Sequence, residues 1–106
     1  MPDDKYFGAD PTVFKAITKQ NEFTDALTIR EKGWVFIEDT SSMSMTVSLQ
    51  VKPNKSADWM DTGDEFTSEG AWPIPYGGGH QYRLGVKTGG FVSGTARLTL
   101  SGRNKI

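Results

Sequence analysis

His80 is the only imidazole in the 106-residue chain, and it directly follows Gly77-Gly78-Gly79. A flexible glycine run is a poor mount for a general base, which must be held within hydrogen-bond reach of the proton it takes. No second histidine completes a ligand pair, and the chain has no cysteine. That removes disulfide frameworks, thiolate metal sites and thiol nucleophiles together. Ser41, Ser42, Ser93 and Ser101 fall in turn or strand contexts, so no Ser-His-Asp setting is recognisable. Asp58, Asp61, Asp64, Glu65 and Glu69 form an acidic stretch. Calcium takes several oxygen ligands, yet this spacing departs from the D-x-[DN]-x-[DN]-G loop. Alternation along a strand would also point these carboxylates in different directions, so a solvated acidic rim or a docking surface for basic groups fits better. The glycine triplet lacks a GK[ST] ending and a following helical pattern, so no helix N-terminus would receive a phosphate. No catalytic residue, metal site or cofactor is expected.

The aromatic residues carry the remaining potential for recognition. Trp59, Trp72, Tyr76 and Tyr82 could in principle form a sugar-stacking platform, but Trp59 opens a returning strand and Tyr82 belongs to an alternating face. Both are expected in the core. Trp72-Pro73-Ile74-Pro75-Tyr76 cannot lie in a central strand, because two prolines remove ladder donors. A loop or sheet edge would leave Trp72 and Tyr76 exposed, as interface aromatics are. Tyr6, Phe7, Phe14 and Phe23 are spaced without a clean period, in a stretch interrupted by Gly8, Asp10-Pro11 and Asn21. Residues 1–25 are therefore read as an extended N-terminal arm; a first strand packed on the body is the alternative. Tyr6, Phe7, Phe14, Phe23, Trp72 and Tyr76 are the candidate partner-binding residues.

The elements that must position these groups are β-strands. Met43 to Val51 places apolar residues at odd positions with Ser, Thr, Ser and Gln between them, the period-2 pattern of a half-buried strand. The polar stretch 52–58 then turns the chain, and Trp59-Met60-Asp61-Thr62 returns. Tyr82, Leu84 and Val86 alternate with Arg83 and Lys87, and Val92, Ala96, Leu98 and Leu100 align after Thr88-Gly89-Gly90. This second pair reads as another hairpin. The continuous apolar run Trp34-Val35-Phe36-Ile37 reads as a strand covered on both faces. Twelve glycines and five prolines punctuate the chain, and no segment sustains a long helical period. An antiparallel β-sandwich or jelly roll over 26–106, preceded by the arm 1–25, follows.

Composition narrows the partners. One domain is expected at this length, and 24% charged against 36% hydrophobic residues favours a folded chain over a disordered one. A net charge of −1 without a basic stripe argues against a nucleic-acid partner. No apolar run approaches a membrane span and no signal-peptide pattern is present, so no membrane association is expected and synthesis in the cytoplasm is.

Two stretches carry a family resemblance. Val-Ser-Leu-Gln-Val at 47–51, a polar turn, and Asp-Trp-Met-Asp-Thr-Gly-Asp-Glu-Phe-Thr at 58–67 form the first; Tyr82-Arg83-Leu84-Gly85-Val86-Lys87-Thr88-Gly89-Gly90-Phe91-Val92-Ser93-Gly94-Thr95 forms the second. Together they resemble small β-rich virion-structural proteins of tailed bacteriophages, among them capsid decoration (cement) proteins. The resemblance spans roughly 45–101 and carries no active-site residues. It implies a non-enzymatic protein on the capsid surface of the virion, bridging and stabilising major capsid protein subunits as a homo-oligomeric dimer or trimer. Alternatives are a carbohydrate- or receptor-binding module of a tail fibre, or a tail or neck adaptor.

Overall fold

The computed structural model describes residues 11–103. Among them there is no helix, and the chain forms nine strands arranged in two antiparallel sheets. These are β1 (Thr12–Ile17), β2 (Glu22–Phe23), β3 (Leu27–Ile29), β4 (Lys32–Met45), β5 (Val47–Lys52), β6 (Met60–Phe66), β7 (Gly70–Ile74), β8 (His80–Val86) and β9 (Phe91–Arg103). One sheet has the order β1-β9-β4-β7; the other has β2-β8-β5-β6, with β3 also pairing β8.

Alternation builds the core. Val35 and Ile37 of β4, Ala96, Leu98 and Leu100 of β9 and Ile17 of β1 turn inward from the first sheet. Val47 and Leu49 of β5, Tyr82, Leu84 and Val86 of β8, and Leu27 and Ile29 of β3 meet them from the second. Burying branched aliphatic side chains at this density supplies the main driving force, roughly 1.5–3 kcal/mol for each fully buried one.

Four sequence expectations change here. The described part of the arm, 11–25, belongs to the two-sheet body: β1 pairs β9 from Thr12↔Ser101 to Ile17↔Ala96, and β2 pairs β8. Val13 and Ile17 face the core while Phe14 faces out, so alternation holds across β1 although the interrupting residues obscured it. The stretch 43–51 is not one strand. Met43 and Met45 end β4, Thr46 breaks the ladder by donating its N–H to Gly90 O (2.7 Å), and β5 then continues in the other sheet. Its two faces are also both covered near Ser48 and Gln50. The segments 80–87 and 91–100 do not form a hairpin, because β8 and β9 lie in different sheets and Thr88-Gly89-Gly90 carries the chain between them. Finally, among the described residues, β4 around Trp34 and Phe36 is covered on one face only. The pairing of β5 with β6 (Val51↔Met60, Gln50↔Asp61) matches the expected first hairpin, and Pro73 sits on the edge strand β7, where a missing donor costs no ladder bond.

Candidate docking surfaces

The six aromatic residues singled out from the sequence do not converge. Tyr6 and Phe7 lie outside the described residues. Phe14 stands on the outer face of the first sheet and is 64% exposed. Phe23 lies on the outer face of the second sheet, beneath the Arg83 guanidinium. Trp72 turns inward: it is opposite Val35 in the ladder, packs against the core, and its ring sits 4.6 Å from that of Phe66. It is therefore not an exposed platform. Tyr76, in the loop between β7 and β8, is 74% exposed.

Two residues that the sequence reading assigned to a covered strand complete a surface around Phe14. Trp34 and Phe36 point outward from β4 and are 46% and 41% exposed. Their rings are 6.0 Å apart and inclined by only 19°. Register explains the exposure. Trp34 lies between Ser101 of β9 and Pro73 of β7; Phe36 lies between Thr99 and Ala71. Thr99 in turn pairs with Phe14 on β1. Short side chains at every neighbouring position leave the three rings standing above the sheet. Charged residues bound this apolar strip at both ends. Lys32 pairs with Arg103 at one end, and Glu38 meets Arg97 (Nη1 to Oε1, 3.5 Å) at the other. Glu69 lies beside that second end, its Oε1 accepting the Asp39 N–H at 3.0 Å.

The outer face of the second sheet has a different character. The Arg83 guanidinium lies 4.0 Å from the Phe23 ring and 4.7 Å from the Trp59 ring. Its Nε–H donates to Gln50 Oε1 at 2.8 Å, and Gln50 Nε2 donates to Asp61 Oδ1 at 3.0 Å. Lys87 Nζ donates to Asp61 Oδ2 at 2.6 Å. Donation from Lys87 and then from Gln50 holds the Asp61 carboxyl below its ordinary value, and the same bond raises Lys87. Gly85 allows Phe23 to lie close, since a Cβ there would collide with Glu22 O and the Phe23 side chain. These charges satisfy one another, so the face is built for stability rather than for capture.

The Tyr76 loop is held firmly at its base. Gly77 N–H donates to Glu31 O at 2.6 Å, Gly79 N–H to Ile29 O at 2.9 Å, and Tyr82 Oη–H to Gly77 O at 3.1 Å. The glycine triplet is thus docked on the β3–β4 turn, where the sequence suggested a flexible run. Pro11, whose O accepts the Gly102 N–H at 3.0 Å, lies at the same end. His80 pairs with Ile29 in the ladder and lines a shallow cleft with Lys52, Asn54, Lys55 and Gln81. Among the described residues, no three His, Cys, Asp or Glu side chains converge as metal ligands. Compared with known proteins, the chain matches no family model, no curated protein and no solved structure.

Proposed function

We propose that this chain is a non-enzymatic virion structural protein: a capsid decoration protein with a β-sandwich of jelly-roll type that binds the outer capsid and bridges neighbouring major capsid subunits. One observation carries the reading. Exposed aromatic rings occur on two elements of one body, the Phe14–Trp34–Phe36 strip of the first sheet and the Tyr76 loop. A bridging protein needs two such places, and an enzyme would need convergent polar groups at one. Exposed, rigid aromatic rings with short neighbours are the kind of surface that interfaces cover. The resemblance of 47–67 and 82–95 to phage virion proteins supplies the setting. In this reading Tyr6 and Phe7 belong to the same capsid contact as Tyr76. Many copies on a shell make modest individual contacts sufficient.

The test is co-sedimentation of the purified protein with shells of the major capsid protein of the virion it is proposed to decorate. Saturable binding, together with a higher temperature of shell opening, is expected. Tyr76→Ala should reduce the bound fraction several-fold while the protein stays folded. If the wild-type protein neither co-sediments nor shifts shell opening, the reading is wrong.

A further inference from the structure

The aromatic strip on the first sheet is self-complementary in charge. Its outer face carries Lys32 and Arg103 at one end. At the other end it carries Glu38, with Glu69 beside it, around the single cation Arg97. Between the ends, among the described residues, the rings of Phe14, Trp34 and Phe36 stand among small or hydroxyl side chains such as Ala71, Thr99 and Ser101. A two-fold axis in the plane of the face and across the strands reverses the strand direction of a second copy. The basic end of each face then meets the acidic end of the other, and Trp34 comes over Phe36 of the second copy. The four strands span about 19 Å, and 32–38 runs about 23 Å along them, roughly 440 Å² per copy, which places the contact among weak, reversible interfaces. The apolar run 34–37 agrees with this: such a run is expected of a strand covered on both faces, and the described residues cover one.

We infer that the outer face of the β1-β9-β4-β7 sheet binds the same face of a second copy, forming a two-fold dimer in which Lys32 of each chain faces Glu38 of the other. The inference rests on the decoration reading; it assigns the strip, offered above as one of two bridging surfaces, to a second copy and leaves the Tyr76 end for the capsid. The dimer is then the bridging unit, with two Tyr76 ends per particle.

Sedimentation equilibrium of the isolated protein, over about 1–100 µM to bracket the affinities of small interfaces, tests this without any capsid present. A reversible dimer is expected. Phe36→Ser with Trp34→Ser should leave a monomer. Glu38→Lys should weaken the dimer at least tenfold, and adding Lys32→Glu to it should restore most of the affinity, since the swapped charges again face one another. All four positions are exposed, so folding, checked by circular dichroism, is expected to survive. A wild-type monomer across the range overturns the inference, as does a double charge swap no tighter than the single one. If a wild-type monomer still co-sediments with shells through Trp34 and Phe36, the strip takes the capsid directly; the dimer fails while the decoration reading stands. A dimer that ignores shells gives the opposite result.

Discussion

Replacing Arg83 by alanine would remove a planar cation from between two rings and leave Gln50 Oε1, on a buried amide, without its donor. Cation–π contacts of this kind contribute about 0.5–1 kcal/mol each, and an unsatisfied buried acceptor costs about 1–3 kcal/mol. Arg83→Ala should therefore lower unfolding free energy by about 2–5 kcal/mol in urea titration. Arg83→Lys should recover little of it, because an ammonium cannot stack flat while reaching Gln50. Equal stability of the alanine variant and wild type would show that the clamp is ornamental. Asp61 allows a pH test with a definite sign. Its folded carboxyl is held below the ordinary 3.8 by Lys87 and Gln50, so its contribution is fully present above the unfolded value. It is lost as pH falls through the lower folded value. The pair is more than a third exposed on both sides, so the effect is small. The stability difference between wild type and Asp61→Asn should shrink on acidification below about pH 4; a difference that grows there would contradict the assignment. Lys87 gives the mirror case, losing its contribution only as pH rises past 10.5 toward its raised value.

Strand β1 shows how an element can hide in a sequence. Gly8, Pro11 and Asn21 suggested a loose arm, yet Val13 and Ile17 are two and four residues from Lys15 and Val13 respectively along one alternating face, and Ile17 is fully buried. What secured it was the ladder to β9, whose Cα partners lie about the whole chain away and leave no local signal. Deleting residues 1–20 should therefore destabilise the body. Loss of a buried isoleucine alone costs about 2–5 kcal/mol, and β9 would acquire an open edge. The urea midpoint of the deletion variant checks this; an unchanged midpoint would restore the arm. Strand β2 depends on a single glycine. A Cβ at Gly85 would meet Glu22 O and the Phe23 side chain, so Gly85→Ala should detach β2 while leaving β5, β6 and most of β8 paired. Amide exchange should accelerate at Asn21 and Thr24, which donate to Val86 O and Leu84 O, far more than at Leu49. The β5–β6 hairpin, by contrast, was legible from sequence because a short polar loop joins two alternating runs. Turns at 88–90 looked similar, but nothing in their residues distinguishes a return within one sheet from a crossing to the other.

At the scale of the whole molecule, the aromatic strip was unreadable from β4 alone, where Trp34-Val35-Phe36-Ile37 indicates double coverage. Its flanking strand corrects that reading, since Arg97, Thr99 and Ser101, the outward residues of β9 beside Trp34 and Phe36, are polar. The register that places them beside Trp34 and Phe36 links residues about sixty positions apart, so it lies beyond any local pattern. The same long-range pairing governs assembly. In the first sheet the central strands β9 and β4 join Leu100 to Val35, and β1 adds Thr12 to Ser101; only β5 and β6 are neighbours through a short loop. Closing long loops before any contact compensates them slows folding, so refolding in the millisecond-to-second range is expected. The β4–β9 pairing should be formed at the rate-limiting step, because it joins the β1–β9 half of the first sheet to the β4–β7 half. Leu98→Ala, which opens a cavity on that pair and costs about 2–5 kcal/mol, should then chiefly slow folding. Phe23→Ala, on the late-joining β2, should chiefly speed unfolding. Chevron plots of the two variants separate these effects: slowed folding for Phe23→Ala with unchanged folding for Leu98→Ala would place the nucleus in the second sheet instead.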